Sequence, residues 1–254
     1  MLAQLRMELK TDYQDFGYYQ SSNLQGVIME KISQEYASFL HEQGLNPYSQ
    51  YVERTQEKIV WVINTLNKES YQEIIVPFLD ESFQKFELKK KEIVVEIVKK
   101  QIKTVSKRQL VEEFYNNDAQ RYLNIEFLTP SSFKSHGNYC IIPDLRLIYQ
   151  SLMNKCESCC SEISIYDEEL LEELVNNSYI TGYRLNSTTF PIEGIKIPSF
   201  KGRIRIRIKG PETLAKYIMF LAKCGEYSGV GIKTAMGMGA MKIIETDRGQ
   251  KNDN

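Results

Sequence analysis

The chain has 254 residues, 42% of them hydrophobic and 26% charged, with a formal net charge of −1. That length admits one large domain or two small ones, and no apolar run approaches the roughly 20 residues that span a bilayer. A near-neutral total excludes a chain that is basic throughout, so any polyanion site must come from how the charge is distributed.

Met1 to Lys10 alternates in character and carries charges, so it reads as a strand and not a signal peptide, with Leu5, Met7 and Leu9 on one face. With five cysteines, an odd number in no paired framework, this points to the cytoplasm. A tyrosine-rich loop follows (Tyr13, Phe16, Tyr18, Tyr19), then helices over 24–32 and 33–42, the second closing towards Gly44. Tyr51 to Arg54 and Lys58 to Leu66 read as a hairpin. Lys68 to Phe83 reads as a helix that Pro77 kinks. Phe86 to Leu88 begins another strand, which completes the order of a ferredoxin-like unit.

The pattern then repeats. Glu92 to Val105 is a strand or hairpin arm, 106–115 a helix capped by Ser106, and Tyr122 to Leu128 a strand. Helices follow over 143–154 and 167–176, and strands over 179–185 and 203–208. A helix over 211–223, a glycine loop and a strand over 240–244 close the second unit. The fold expected is α+β: two tandem ferredoxin-like domains, 1–90 and 91–246, with a frayed tail over 247–254.

Charge is unevenly spread. Cys156 to Val175 holds seven acids and no Lys or Arg, whereas Gly194 to Thr246 holds ten Lys or Arg against three acids. The basic segment contains Arg203-Ile-Arg-Ile-Arg-Ile208. A strand puts the three arginines on one face and the isoleucines on the other. Residues two apart in a strand are about 6.6 Å apart, close to the phosphate spacing of an extended single strand. Lys201 precedes this strand. Five of the 14 glycines lie between Gly225 and Gly239. Gly229, Gly231, Gly237 and Gly239, with Lys233 among them, make a loop whose backbone N–H groups suit a polymer's phosphates. A helix enters the loop and a strand leaves it, the reverse of nucleotide loops, and no Gly-Lys-Ser/Thr closes it.

His41 closes the second helix and is a candidate general acid or base for a phosphodiester; its bland reading is a helix-end histidine. Tyr48, Ser49 and Lys58 follow closely and could donate hydrogen bonds or charge to a phosphate. His136, in a polar turn, reads as a loop residue. Cys156, Cys159 and Cys160 hint at zinc, but no second close pair completes four ligands. No metal or other cofactor is expected.

Four segments together, Leu24-Gln-Gly-Val-Ile28, Leu40-His-Glu-Gln-Gly44, Thr129-Pro-Ser-Ser-Phe-Lys134 and Gly229 to Gly239, resemble the CRISPR-associated endoribonucleases that cut precursor CRISPR RNA. This is the Cas6 family of the RAMP superfamily. The resemblance implies two RRM-like domains and metal-independent cleavage within each repeat. In that chemistry the ribose 2′-hydroxyl attacks the adjacent phosphate, leaving a 2′,3′-cyclic phosphate and a 5′-hydroxyl. His41 falls on the family's catalytic histidine. Met29 stands where some members carry a catalytic tyrosine, and Tyr48 and Ser49 where some carry a lysine. The implied partner is CRISPR repeat RNA; effector-complex subunits and a second copy of the chain are further partners it admits. The competing reading is a non-catalytic RNA-binding subunit of an effector complex.

Overall fold

The computed structural model describes residues 1–116, 118–159, 166–192 and 194–244. In chain order the first half runs β1 (Leu2–Lys10), α1 (Ser21–Lys31), α2 (Gln34–Glu42), β2 (Tyr48–Arg54), β3 (Ile59–Thr65), α3 (Lys68–Ser70), α4 (Val76–Leu79), β4 (Lys85–Leu88) and β5 (Ile93–Val105). Its sheet has the order β2-β3-β1-β5-β4. Without the extra edge strand β4, this is the ferredoxin-like arrangement. Ser33 caps α2, its side chain accepting from the Tyr36 N–H, as its position before the helix requires. Between α3 and α4 a π-turn over Tyr71–Ile75 precedes Pro77. The expected kink is therefore taken up by a widened turn, and the helix stops at Leu79.

The second half runs α5 (Lys107–Asn116), β6 (Tyr122–Ser131), β7 (Phe133–Ser135), β8 (Asn138–Cys140), α6 (Leu145–Cys159), α7 (Glu168–Asn176), β9 (Ser178–Ile192), β10 (Ile195–Ile208), α8 (Glu212–Ser228) and β11 (Met241–Ile243). Its main sheet has the order β11-β6-β10-β9, again ferredoxin-like. The boundary expected at residue 90 is too early. β5 pairs antiparallel with both β1 and β4 and completes the first sheet, so the second unit begins at β6. The valine and isoleucine run of β5 reads equally well as the first strand of a new unit, and only long-range pairing decides. The expected tail over 247–254 lies outside the described residues.

Each sheet has one face covered by its own helices and one face that they leave bare, with Leu110 of α5 and Tyr227 of α8 packed on Leu2 at one end of the first sheet's bare face. In the first, Leu5, Met7 and Leu9 are buried with Leu24 and Ile28 of α1 and Leu40 of α2. In the second, Ile204, Ile206 and Ile208 are buried against α6 and α8, and the intervening arginines are exposed, as the alternation predicts. Full burial of one such isoleucine is worth about 1.5–3 kcal/mol. The two bare faces meet where Tyr51 and Val62 of the first sheet pack with Leu128 and Ala240. Beside that contact opens an interdomain trough, lined by Glu53 and Arg54 of the first domain and Glu126, Lys201 and Lys242 of the second.

Candidate active site and nucleic-acid interface

The glycine loop joins the domains by straddling edge strand β2. On the bare side of β2, the Ser49 hydroxyl donates to the Tyr227 carbonyl at the end of α8 (2.6 Å). On the covered side, the Gln50 amide donates to the Ser21 and Ala235 carbonyls at 2.5 and 3.2 Å. Ala235 belongs to a 3₁₀ turn, Thr234–Met236, at the centre of the loop. The loop's turn therefore lies on the helical side of the first domain, against the first residue of α1.

This changes the role of the glycines. Gly229, Gly237 and Gly239 are buried and Gly231 is half-buried, so they do not form the open phosphate cradle expected of them. Gly237 has φ +104°, and a Cβ there would stand 2.1 Å from the Ser21 Cβ. The residue is glycine because α1 passes too close for a side chain. The N–H groups of residues 229–232 and 236–240 all donate within the protein. Among the described residues, the loop keeps N–H groups without a protein acceptor only at Lys233, Thr234 and Ala235, the entry of the 3₁₀ turn. Lys233 is exposed at that point with φ +53°. Of the loop residues, it remains the one suited to meeting a phosphate.

His41 is exposed on the last turn of α2, whose Tyr36 and Leu40 anchor the helix in the core. It stands on the covered, helical side of the first domain, the side on which the 3₁₀ turn is seated. Met29 is half-buried against the same core.

Tyr48 does not fit the donor role expected of it. Its ring is 1% exposed, its hydroxyl accepts a long bond from the Gln25 amide at 3.4 Å, and burial pushes its pKa up to about 12. Tyr48 is in phase with the inward residues Gln50 and Val52 and packs as core. Lys58 is also displaced. It lies at the far end of the β2–β3 hairpin from Tyr48, roughly 20 Å along the strand at about 3.3 Å per residue. There it pairs with Glu8 (3.1 Å).

The arginines line the other side of the molecule. Arg203, Arg205 and Arg207 stand on the bare face of the second sheet, which opens onto the trough. At its mouth lies a cleft of about 530 Å³ lined by Asp15, Tyr18, Glu53, Arg54, Glu126, Lys201 and Lys242 among others. The Lys201 ammonium sits 5.7 Å from the Tyr18 ring. The arginine stripe and His41 occupy opposite sides of the first sheet, which lies between the trough and α2. No local property of the sequence fixes on which side of β2 each falls.

Glu126 is a site residue that sequence reading missed. It accepts from Arg203 (2.8 Å) and pairs with Lys242 (2.9 Å). Its partial burial raises its pKa, but the bonds from Lys242 and Arg203 outweigh this and hold it below the ordinary carboxylate value. The signal was present: alternation along Tyr122-Leu-Asn-Ile-Glu126 puts Tyr122, Asn124 and Glu126 on the arginine face.

The sequence pattern of the CRISPR-associated endoribonuclease Cas6 family matches residues 125–241. The Streptococcus thermophilus CRISPR-associated endoribonuclease Cas6 is 34% identical over 221 residues, covering 87% of this chain and 89% of that protein. The chain belongs to the Cas6 family. It is accordingly an endoribonuclease. A Mycobacterium tuberculosis Cas6 is 35% identical over 222 residues, covering 87% of this chain and 70% of that protein. Solved Cas6 structures share the fold. A Thermus thermophilus Cas6 is 21% identical and covers 96% of this chain and 98% of that one, with a TM-score of 0.71. A Cas6 product complex is 19% identical and covers 96% and 99%, with a TM-score of 0.78.

His136 and Gly137 form the tight turn between β7 and β8, with φ +48° and +81°, and the Ser135 hydroxyl lies 3.0 Å from the His136 ring. Cys156 is buried with its sulfur 3.2 Å from that of Cys224 in the second core. The Cys159 side chain and Cys160 lie outside the described residues. Among the described residues no three His, Cys, Asp or Glu side chains group to hold a metal ion, and no helix is long and apolar enough to cross a membrane.

Proposed function

We propose that the chain binds CRISPR repeat RNA and cuts precursor crRNA into units without a metal. The 2′-hydroxyl attacks the adjacent phosphate and leaves a 2′,3′-cyclic phosphate and a 5′-hydroxyl. The observation that carries the reading is His41: an exposed imidazole on an anchored helix end, on the side of the molecule where the loop presents Lys233. RNA supplies its own nucleophile. The protein need only align it, move protons and meet the charge that builds on phosphorus. His41 protonates the leaving 5′-oxygen or removes the 2′-proton. Lys233, with the N–H groups at the entry of the 3₁₀ turn, meets the phosphate charge.

Arg203, Arg205, Arg207 and Lys201 grip the backbone of the repeat. An RNA that touches both these groups and His41 passes round the edge strand β2, beside Tyr18 and Lys201. Exposed arginines suit this role because their planar fork pairs with phosphate through two hydrogen bonds. The reading includes the cytoplasmic placement expected from the cysteines. The test is to incubate repeat RNA with the protein in EDTA and analyse the product ends. A cyclic phosphate and a 5′-hydroxyl are expected; a 5′-phosphate, or cutting that needs added metal, overturns the mechanism.

A further inference from the structure

We propose, building on the RNA-binding reading above, that the outer end of the bare face of the second sheet is a stacking platform for unpaired nucleobases. The register of three adjacent strands sets side chains in rows on this face. The outermost row is Tyr122, Arg207 and Tyr179, from β6, β10 and β9. The next is Asn124, Arg205 and Gly182. The third is Glu126, Arg203 and Arg184, with Lys242 of β11 beside Glu126. The third row carries the carboxylate that ties down Arg203; the first two hold no acidic residue.

The two tyrosines are 44% and 37% exposed. The Arg207 guanidinium stands 5.9 Å from the Tyr122 ring, and the Lys209 ammonium 5.1 Å from the Tyr179 ring. One exposed tyrosine says little. Two in one row, flanking an arginine at the acid-free end of the face, form a surface that is both flat and cationic. Adjacent strands are about 4.8 Å apart, so the tyrosines are based about 10 Å apart and carry one base each. Aromatic rings and guanidinium planes on a sheet of this kind take unstacked bases, and neighbouring cations take the phosphates.

Gly182 supports the same conclusion. A glycine inside a strand weakens it, and such a residue often marks a place where a ligand comes close. Its φ is not in the left-handed region, and a Cβ there would meet no atom within 4 Å. Neither backbone conformation nor crowding accounts for it. The pairing also shifts register at this point, between Arg205 and Ile206, which returns Tyr179 to the arginine face. The platform therefore sits beside an open floor at Gly182, with Asn124 and Arg205 in the same row for hydrogen bonding to base edges.

The test measures affinity for repeat RNA carrying 2-aminopurine at each unpaired position in turn. Tyr122→Ala with Tyr179→Ala weakens binding by about tenfold or more, in line with the loss of base stacking. It abolishes the fluorescence quench at one or two positions and leaves the slope of affinity against salt unchanged, because no phosphate contact is lost. Tyr122→Phe with Tyr179→Phe keeps the rings and the affinity. If the alanine pair does not fold, Gly182→Val, which fills the open floor, gives the same readout. Unchanged affinity in the alanine pair overturns the platform, as does an equal loss with phenylalanine or a shallower salt slope. Wild-type protein that binds RNA without cutting it sinks the catalytic reading alone; wild-type protein that does not bind the repeat sinks both.

Discussion

Gln50 and Ala235 lock the two domains together: a buried amide of the edge strand donates to the central carbonyl of the glycine loop at 3.2 Å. The same side chain donates to the Ser21 carbonyl and accepts from the Trp61 indole at 2.8 Å. Gln50→Leu leaves that indole N–H and two carbonyls without their partner in a buried place. The expected loss of stability is about 3 kcal/mol or more, since each of the three groups stripped of its partner costs about 1–3 kcal/mol. Chemical denaturation checks it; a loss below about 1 kcal/mol contradicts the role given to Gln50.

Gly239→Ala is expected to unseat the loop. Gly239 has φ +68°, and a Cβ would stand 1.9 Å from the Val230 carbonyl oxygen. Two backbone segments must separate, at a cost of roughly 2 kcal/mol or more. Gly26→Ala makes the opposite prediction. Gly26 lies inside α1 with nothing within 4 Å of an added Cβ, so alanine there stabilises by about 0.5–1 kcal/mol. Thermal melts of the pair separate glycines that packing demands from one that it does not.

Glu126→Gln releases Arg203 and Lys242 from their carboxylate partner and is expected to tighten RNA binding, with a steeper dependence on salt. The same pair sets an acid dependence. The folded pKa of Glu126 lies below its ordinary value of 4.5, so its contribution to stability is present above that pH. The contribution is lost as pH falls through the folded value. Acid unfolding curves of wild type and Glu126→Gln should therefore differ above pH 4.5 and converge below it.

The alternation of Arg203 to Ile208 predicts both faces of β10, because period two is a local property that the sheet only had to accept. The ferredoxin order is legible for the same reason: each element carries its own periodicity and caps. The domain boundary is not, since β5 could open one sheet or close another and long-range pairing with β1 decides. Tyr48 and Lys58 lie close to His41 in sequence, but a strand carried Lys58 away and the pleat turned Tyr48 inward. The glycines signalled a special backbone correctly. What they could not signal was its cause, the approach of α1 to Gly237.

Tyr48→Phe and Lys58→Ala test these corrections. The Tyr48 hydroxyl makes one long contact with Gln25, and Lys58 holds one exposed ion pair worth about 0–1 kcal/mol. Both variants are expected to cleave repeat RNA at the wild-type single-turnover rate. A large fall for either would return that residue to the reaction centre.

His41 bears the central claim, and the single-turnover rate of His41→Ala on repeat RNA in EDTA tests it most directly, with binding measured alongside. The expected result is a fall in rate of about 10²–10⁴-fold, the usual share of a positioned proton-transfer group, with RNA affinity retained. Cleavage at the wild-type rate by the fully bound variant would contradict the account.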